Sequence, residues 1–204
     1  MRLDMAAARK PNPDRLINAA MALAAEGRWC AISLADIAAE ANVSLAQLHA
    51  VFSSKGAILR AFRDKIDAVV LDGNDDDSHD EPINDRLLDV LVRRLEALQD
   101  YKPAMGSILR DTVTDPAAAL YGGPRLLRSM AWSLEAAGIG SSGLRGRIRT
   151  NGLVAIYLST LCVWLRDDSD DLGPTLAHLD RALTRAERLA MTLGLARRVN
   201  PDLE

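Results

Sequence analysis

Aromatic side chains are scarce in this chain. There are two Phe, three Tyr and three Trp among 204 residues. Cysteine is scarcer. Cys30 and Cys162 lie far apart, each in an apolar setting, which excludes a disulfide scaffold and is read as two buried, reduced thiols. The three histidines, His49, His79 and His178, are scattered. They show neither H-E-x-x-H nor a Cys/His ligand spacing, so no metal site is expected. No nucleophile stands in a recognisable pairing with a base, and neither enzymatic activity nor a cofactor is expected. Long apolar runs are also missing. The longest uncharged stretch, Thr150 to Leu165, has sixteen residues, short of the ~20 that span a bilayer. Met1 to Lys10 holds no sustained apolar run and does not read as a signal peptide. A cytoplasmic protein without stable membrane insertion is the expectation.

What is abundant is Ala (32) and Leu (31). No useful length alternates with period two. Both facts favour an all-α protein of one or two domains. Net charge is −3 but unevenly spread. Residues 1–71 carry nine Lys/Arg against seven Asp/Glu. Residues 72–81 carry six acids and no Lys/Arg. Residues 82–204 carry sixteen Lys/Arg against fifteen acids. A pI of about 5.7 therefore does not exclude nucleic acid, because the local patch decides.

Met1 to Asn12 reads as a flexible arm with Arg2, Arg9 and Lys10. Asn12-Pro13 opens a first helix, with Leu16, Ala20, Leu23 and Ala24 inward, and Gly27 ends it. A helix from Ser53/Ser54 to about Leu71 places Ile58, Phe62, Ile66 and Val69 inward. Asp72 to Glu81 is acidic and rich in turn formers. It lacks the glycine and terminal Glu spacing of an EF-hand and reads as a solvated linker. It separates a domain of residues 1–71 from one of residues 82–204. The second carries helices over Pro82–Asp100, Pro103–Val113, Pro116–Tyr121, Arg125–Ala137, Leu144–Leu165 and Thr175–Leu195, about nine in the whole chain. Breaks are expected at Gly122-Gly123-Pro124, Gly138 to Gly143, and Asp167 to Pro174. Gly138 to Gly143 matches G-x-G-x-x-G, but a helix precedes it, so nucleotide binding is rejected. Asn42-Val43-Ser44 matches a glycosylation sequon, rejected for want of a secretion signal.

Residues 33 to 55 carry the most information. Ser33 is an N-cap candidate with Asp36 three residues on. Ser44 is another, with Gln47 completing a capping box. Asn42 between them can take the left-handed conformation of a tight turn. Leu34, Ile37 and Ala38 form one apolar face, and Leu45, Leu48 and Phe52 another. Two helices this short are unstable alone and must cross and pack on a third. That is a helix-turn-helix, whose second helix enters the DNA major groove.

The stretch from about Arg15 to Phe62 resembles the TetR family of regulators. The resemblance rests on Arg15-Leu16-Ile17-Asn18-Ala19-Ala20, Gly27, Ile32 to Ala38, Val43-Ser44, Phe52 and Ser54-Lys55. It implies a dimer that binds double-stranded DNA and answers to a ligand. Expected DNA contacts are Ser33, Ser44, Leu45, Ala46, Gln47, His49 and Lys55. Lys55, beside the N-terminus of a helix, makes a phosphate clamp. Gln47 either reads an adenine edge or serves only its cap. His49 stands where the family usually has a phosphate-contacting tyrosine. Departures are an apolar recognition helix (Leu45, Ala46, Ala50, Val51), no Arg or Lys between Arg28 and Lys55, and Gly56 in place of an acid.

In the second half Met105, Leu127, Met130, Trp132, Tyr157 and Trp164 fall where the family keeps its cavity. They are candidates to line an apolar pocket for a small apolar ligand. Leu153 and Ile156 in the uncharged run, and Leu176, Leu179, Leu183 and Ala190 in a seam reaching Leu193, are expected at a homodimer interface. A second resemblance covers Val163 to Asp171 with Thr175 and Leu179-Asp180-Arg181. This stretch is similar to the TetR-fold, lipid-binding accessory protein of ubiquinone biosynthesis. It implies an alternative: a lipid- or isoprenoid-binding protein linked to quinone metabolism, with little or no DNA binding. The main expectation is a ligand-responsive repressor released from a palindromic operator by its effector.

Overall fold

A computed structural model describes residues 11–73, 82–114 and 116–192, with side chains for all of these but 113–121. The N-terminal arm, most of the acidic linker with His79, and the end of the last seam with Leu193 lie outside the described residues. Among the described residues there are nine α-helices and no strand. They are α1 Pro13–Glu26, α2 Leu34–Glu40, α3 Leu45–His49, α4 Lys55–Asp72, α5 Ile83–Leu98, α6 Lys102–Thr114, α7 Pro116–Ala136, α8 Gly143–Trp164 and α9 Gly173–Thr192. Two 3₁₀ turns, Trp29–Ala31 and Gln99–Tyr101, precede α2 and α6. The all-α expectation holds.

The chain forms two compact units. The first takes residues up to Ala68 together with Leu98–Tyr121. It therefore gains α6, which packs along α1 and against the Trp29–Ala31 turn. Its core is Leu16, Ile17, Ala20 and Ala24 of α1, Ile37 and Ala38 of α2, Leu48 of α3, Ile58, Phe62 and Ile66 of α4, and Ala104 and Ile108 of α6. Phe62 and Tyr101 meet edge to face, with ring centroids 4.8 Å apart. Each fully buried Leu or Ile contributes roughly 1.5–3 kcal/mol of hydrophobic stabilisation. That burial lets helices of seven and five residues persist.

The second unit takes Val69–Ala97 and the chain from Gly122 onward. Leu87, Val90, Leu91 and Leu95 of α5 are buried. So are Met130 and Leu134 of α7, Leu153, Tyr157, Leu161 and Trp164 of α8, and Leu179 and Leu183 of α9. Helices α8 and α9 pack together. Asp167 joins them. Its carboxylate accepts from the Ser169 hydroxyl at 2.5 Å, and from the Thr175 hydroxyl and N–H at 2.5 and 3.0 Å. The buried Arg94 guanidinium lies 5.8 Å from the Tyr157 ring centre.

Four expectations are corrected. The chain does not break at Gly122-Gly123-Pro124, because α7 runs through Pro124. An interior proline removes one hydrogen bond to the preceding turn. Three following turns anchored by buried Ser129, Met130, Ser133, Leu134 and Ala137 offset that loss. Val70, not Val69, is the inward residue at the end of α4. Leu45 points outward instead of joining Leu48 and Phe52 in the core. Cys30 and Cys162 are free thiols, as expected, but exposed. In its turn Cys30 faces away from the side that buries Trp29, and Cys162 sits on the outward face of α8.

Candidate nucleic-acid interface

Each helix of the pair starts on a closed capping box. The Ser33 hydroxyl accepts the Asp36 N–H at 3.1 Å, and Asp36 accepts the Ser33 N–H at 2.8 Å and its hydroxyl at 2.7 Å. These bonds hold the Asp36 carboxyl below its ordinary pKa. At α3 the Ser44 hydroxyl accepts the Gln47 N–H at 3.1 Å, and Gln47 Oε1 accepts the Ser44 N–H at 2.9 Å. Asn42 makes the turn with φ 50°. Both caps and the left-handed turn match the sequence reading. Ile37, Ala38, Ala41 and Leu48 are buried and fix how α3 lies on α2. What remains outside is Leu45 (52% exposed), Ala46, His49 and Ala50, with Gln47 half-buried. Ser33 and Ser44 are exposed beside them. The proposed base-reading residues of α3 therefore share one accessible surface. Gln47 has already committed its oxygen to the cap. A bidentate adenine contact uses that oxygen as well as the amide nitrogen, so the cap bond leaves the oxygen one lone pair for a base.

Lys55 is placed differently from the phosphate clamp that the sequence suggested. It is the first residue of α4, whose first turn is capped by the Ser54 hydroxyl accepting from Ala57 N–H at 3.2 Å. Its side chain turns inward. Nζ donates to the carbonyls of Trp29 and Ile32 at 2.5 and 2.6 Å and lies 4.5 Å from the centre of the Trp29 ring. Burial pushes its pKa down.

Sequence reasoning missed what holds the other side of that turn. Ser107 and Asp111 of α6 are buried. The Ser107 hydroxyl accepts the Trp29 N–H at 2.9 Å and donates to the Gly27 carbonyl at 2.6 Å. Asp111 accepts the Cys30 N–H at 2.6 Å and the Arg28 guanidinium at 2.9 Å. The Cys30 N–H, then Arg28, hold the Asp111 carboxyl down at about 2. These partners stand about eighty residues apart in the chain, and no local pattern announces them.

The other expected sites are scattered. Met130, Tyr157 and Trp164 are buried in the second unit, Leu127 is half-buried, and Trp132 is 50% exposed. Met105 belongs to the first unit. Of the expected dimer residues, Leu153, Leu179 and Leu183 are buried within the single chain, while Ile156, Leu176 and Ala190 are half-buried. The outward face of α8 instead carries Leu144, Ile148, Ala155, Leu158 and Cys162. No helix among the described residues is long and apolar enough to cross a membrane.

Comparison with known proteins agrees with this geometry. Residues 16–62 match the family model of bacterial regulatory proteins of the tetR family. Residues 149–190 match the COQ9 family model. No curated protein shows a significant match. Among solved structures the chain is similar to a TetR transcriptional regulator from Nitrosomonas europaea. The TM-score is 0.72 at 26% identity, over 86% of this chain and 98% of that one. A TetR transcriptional regulator from Rhodococcus sp. RHA1 gives 0.64 at 21% identity, over 92% and 96%. A tetR-family transcriptional regulator from Streptomyces coelicolor gives 0.59 at 16%, over 91% and 86%. Residues 16–62, which hold the twice-capped helix pair, thus match the tetR-family model, on a chain similar in fold to TetR regulators and with a COQ9-like stretch in its C-terminal half.

Proposed function

We propose that this chain is a ligand-responsive transcriptional repressor of TetR type, acting in the cytoplasm as a homodimer on a palindromic operator. It carries no catalytic role in this reading. The observation that carries the reading is the surface of α3, fixed by its capping box and by buried Leu48, with Leu45, Ala46, Gln47 and His49 left accessible. Its apolar character suits thymine: Leu45 and Ala46 meet the 5-methyl group, Gln47 donates from its amide nitrogen, and His49 and the two cap serines approach phosphates. A second copy covers the outward face of α8, where Leu144, Ile148 and Leu158 are exposed around Gly152 and Ala155. A small apolar effector occupies the second unit among Leu127, Met130, Tyr157 and Trp164. Residues 1–71 supply DNA binding, supported by α6, and the rest of residues 82–204 the dimer and effector functions.

A second reading has its own observation. The COQ9 match covers most of α8 and α9, including Thr175 and Leu179, which favours a lipid- or isoprenoid-binding protein linked to quinone metabolism. Selection of genomic fragments by the purified protein, in parallel with mass spectrometry of co-purified lipid, separates the two. Enriched palindromic fragments support the repressor. Bound isoprenoid lipid with no enriched fragment supports the alternative.

A further inference from the structure

Residues 27–32 link α1 to α2 and so set where the helix-turn-helix starts. In a connector of this length the backbone groups of 27–32 would ordinarily face water. Here they are gripped from two sides. From α4, Lys55 Nζ holds the Trp29 and Ile32 carbonyls at 2.5 and 2.6 Å. From α6, Ser107 holds the Trp29 N–H and the Gly27 carbonyl, and Asp111 holds the Cys30 N–H and Arg28. Trp29 is buried beneath, with its ring against the Lys55 ammonium. An ammonium that donates to two carbonyls and lies on an aromatic face has few donors left for a phosphate.

We infer that Lys55, Ser107 and Asp111 are positioning residues for operator binding, which fix the α1–α2 joint and do not touch DNA. Resting on the repressor reading above, this inference assigns Lys55 a task other than the phosphate clamp. A phosphate-contacting lysine and a positioning lysine differ in one measurable way. Losing the first releases one fewer counterion and lowers the slope of log K against log salt by about one. Losing the second weakens binding and leaves the slope alone.

The test compares wild type with Lys55→Met, Ser107→Ala and Asp111→Asn by fluorescence anisotropy, at several salt concentrations. The probes are a duplex recovered by genomic-fragment selection and a random-sequence duplex. Measurements are made well below the melting temperature, with circular dichroism confirming that each variant is folded. The inference expects each variant to bind the selected duplex at least ~10-fold more weakly at an unchanged salt slope. In Ser107→Ala the Trp29 amide exchanges faster with solvent, and in Asp111→Asn the Cys30 amide does. Should Asp111→Asn fail to fold, Ser107→Ala, which removes one hydroxyl, gives the same reading. A slope lower by about one for Lys55→Met would make it a phosphate contact and overturn the inference. So would folded variants that bind like wild type, which would make the three residues merely structural. If wild type prefers neither duplex and selects no fragment, the repressor reading fails and the inference with it. That outcome is distinguishable from equal binding by all four proteins.

Discussion

Asp111 accepts from the Cys30 N–H and the Arg28 guanidinium, and its carboxyl is held at about 2 against about 3.9 for a free aspartate. A lowered carboxyl stabilises the fold above its unfolded pKa, and that contribution is lost as pH falls through the folded value. Wild type should therefore exceed Asp111→Asn in stability by a constant margin above about pH 5. The margin should shrink as pH falls from about 5 through about 2 in denaturant melts; a constant margin down to pH 2 would refute the pairing. At Ser44 the expected loss on Ser44→Ala is about 1 kcal/mol in the same melts, since the hydroxyl caps α3. Caps of this kind were legible in the sequence because donor and acceptor lie three residues apart. Asn12, which accepts the Asp14 N–H two residues on, was legible for the same local reason. The direction of Lys55 was not legible. Its carbonyl partners lie 23 and 26 residues away, and helix-terminal position alone argued for an outward lysine. The exposure of Leu45 was missed for a related reason: a five-residue helix has too few turns for periodicity to define a face.

Helices α7 and α8 show how packing overrides local preference. Gly122, Gly123 and Pro124 all disfavour helix, yet α7 continues through them because its later turns are buried. An added Cβ at Gly123 would meet nothing within 4 Å. Gly123→Ala should accordingly raise stability by about 0.5–1 kcal/mol in a thermal or denaturant melt. Gly146 in α8 is the opposite case. A Cβ there would stand 2.1 Å from the carbonyl of Ser141, where the α7–α8 connection crosses the helix with Gly138 at φ 75°. Gly146→Ala should cost about 1–3 kcal/mol; equal stability of the two alanine variants would contradict the close approach. The sequence marked Gly138 to Gly143 correctly as a break. It had no means of showing that the returning chain lies on Gly146, because that contact depends on how the connection folds back.

For the whole molecule, the helical class and most helix boundaries were legible in the sequence. It did not show which apolar residues a single chain already buries. Leu153, Leu179 and Leu183 stabilise the second unit from within, so Leu183→Asp should unfold it. Leu144→Asp with Leu158→Asp, on the outward face of α8 where Leu144 is 76% exposed, should instead yield a folded monomer by sedimentation. A folded dimer from that double variant would move the interface elsewhere. The acidic stretch at 72–81 suggested a boundary, while α6, far beyond it, packs on α1. Apolar periodicity shows that α6 has a buried face and not what covers it. The central claim is that the α3 surface reads DNA as part of a symmetric dimer. The most direct measurement is selection of genomic fragments by the purified protein, followed by footprinting of the enriched sites. The enriched sites should be palindromes whose two half-sites lie about one helical turn apart, and Gln47→Ala should change the preferred base within each half-site. Failure to enrich any fragment, with an isoprenoid lipid found bound to the same preparation, would contradict it.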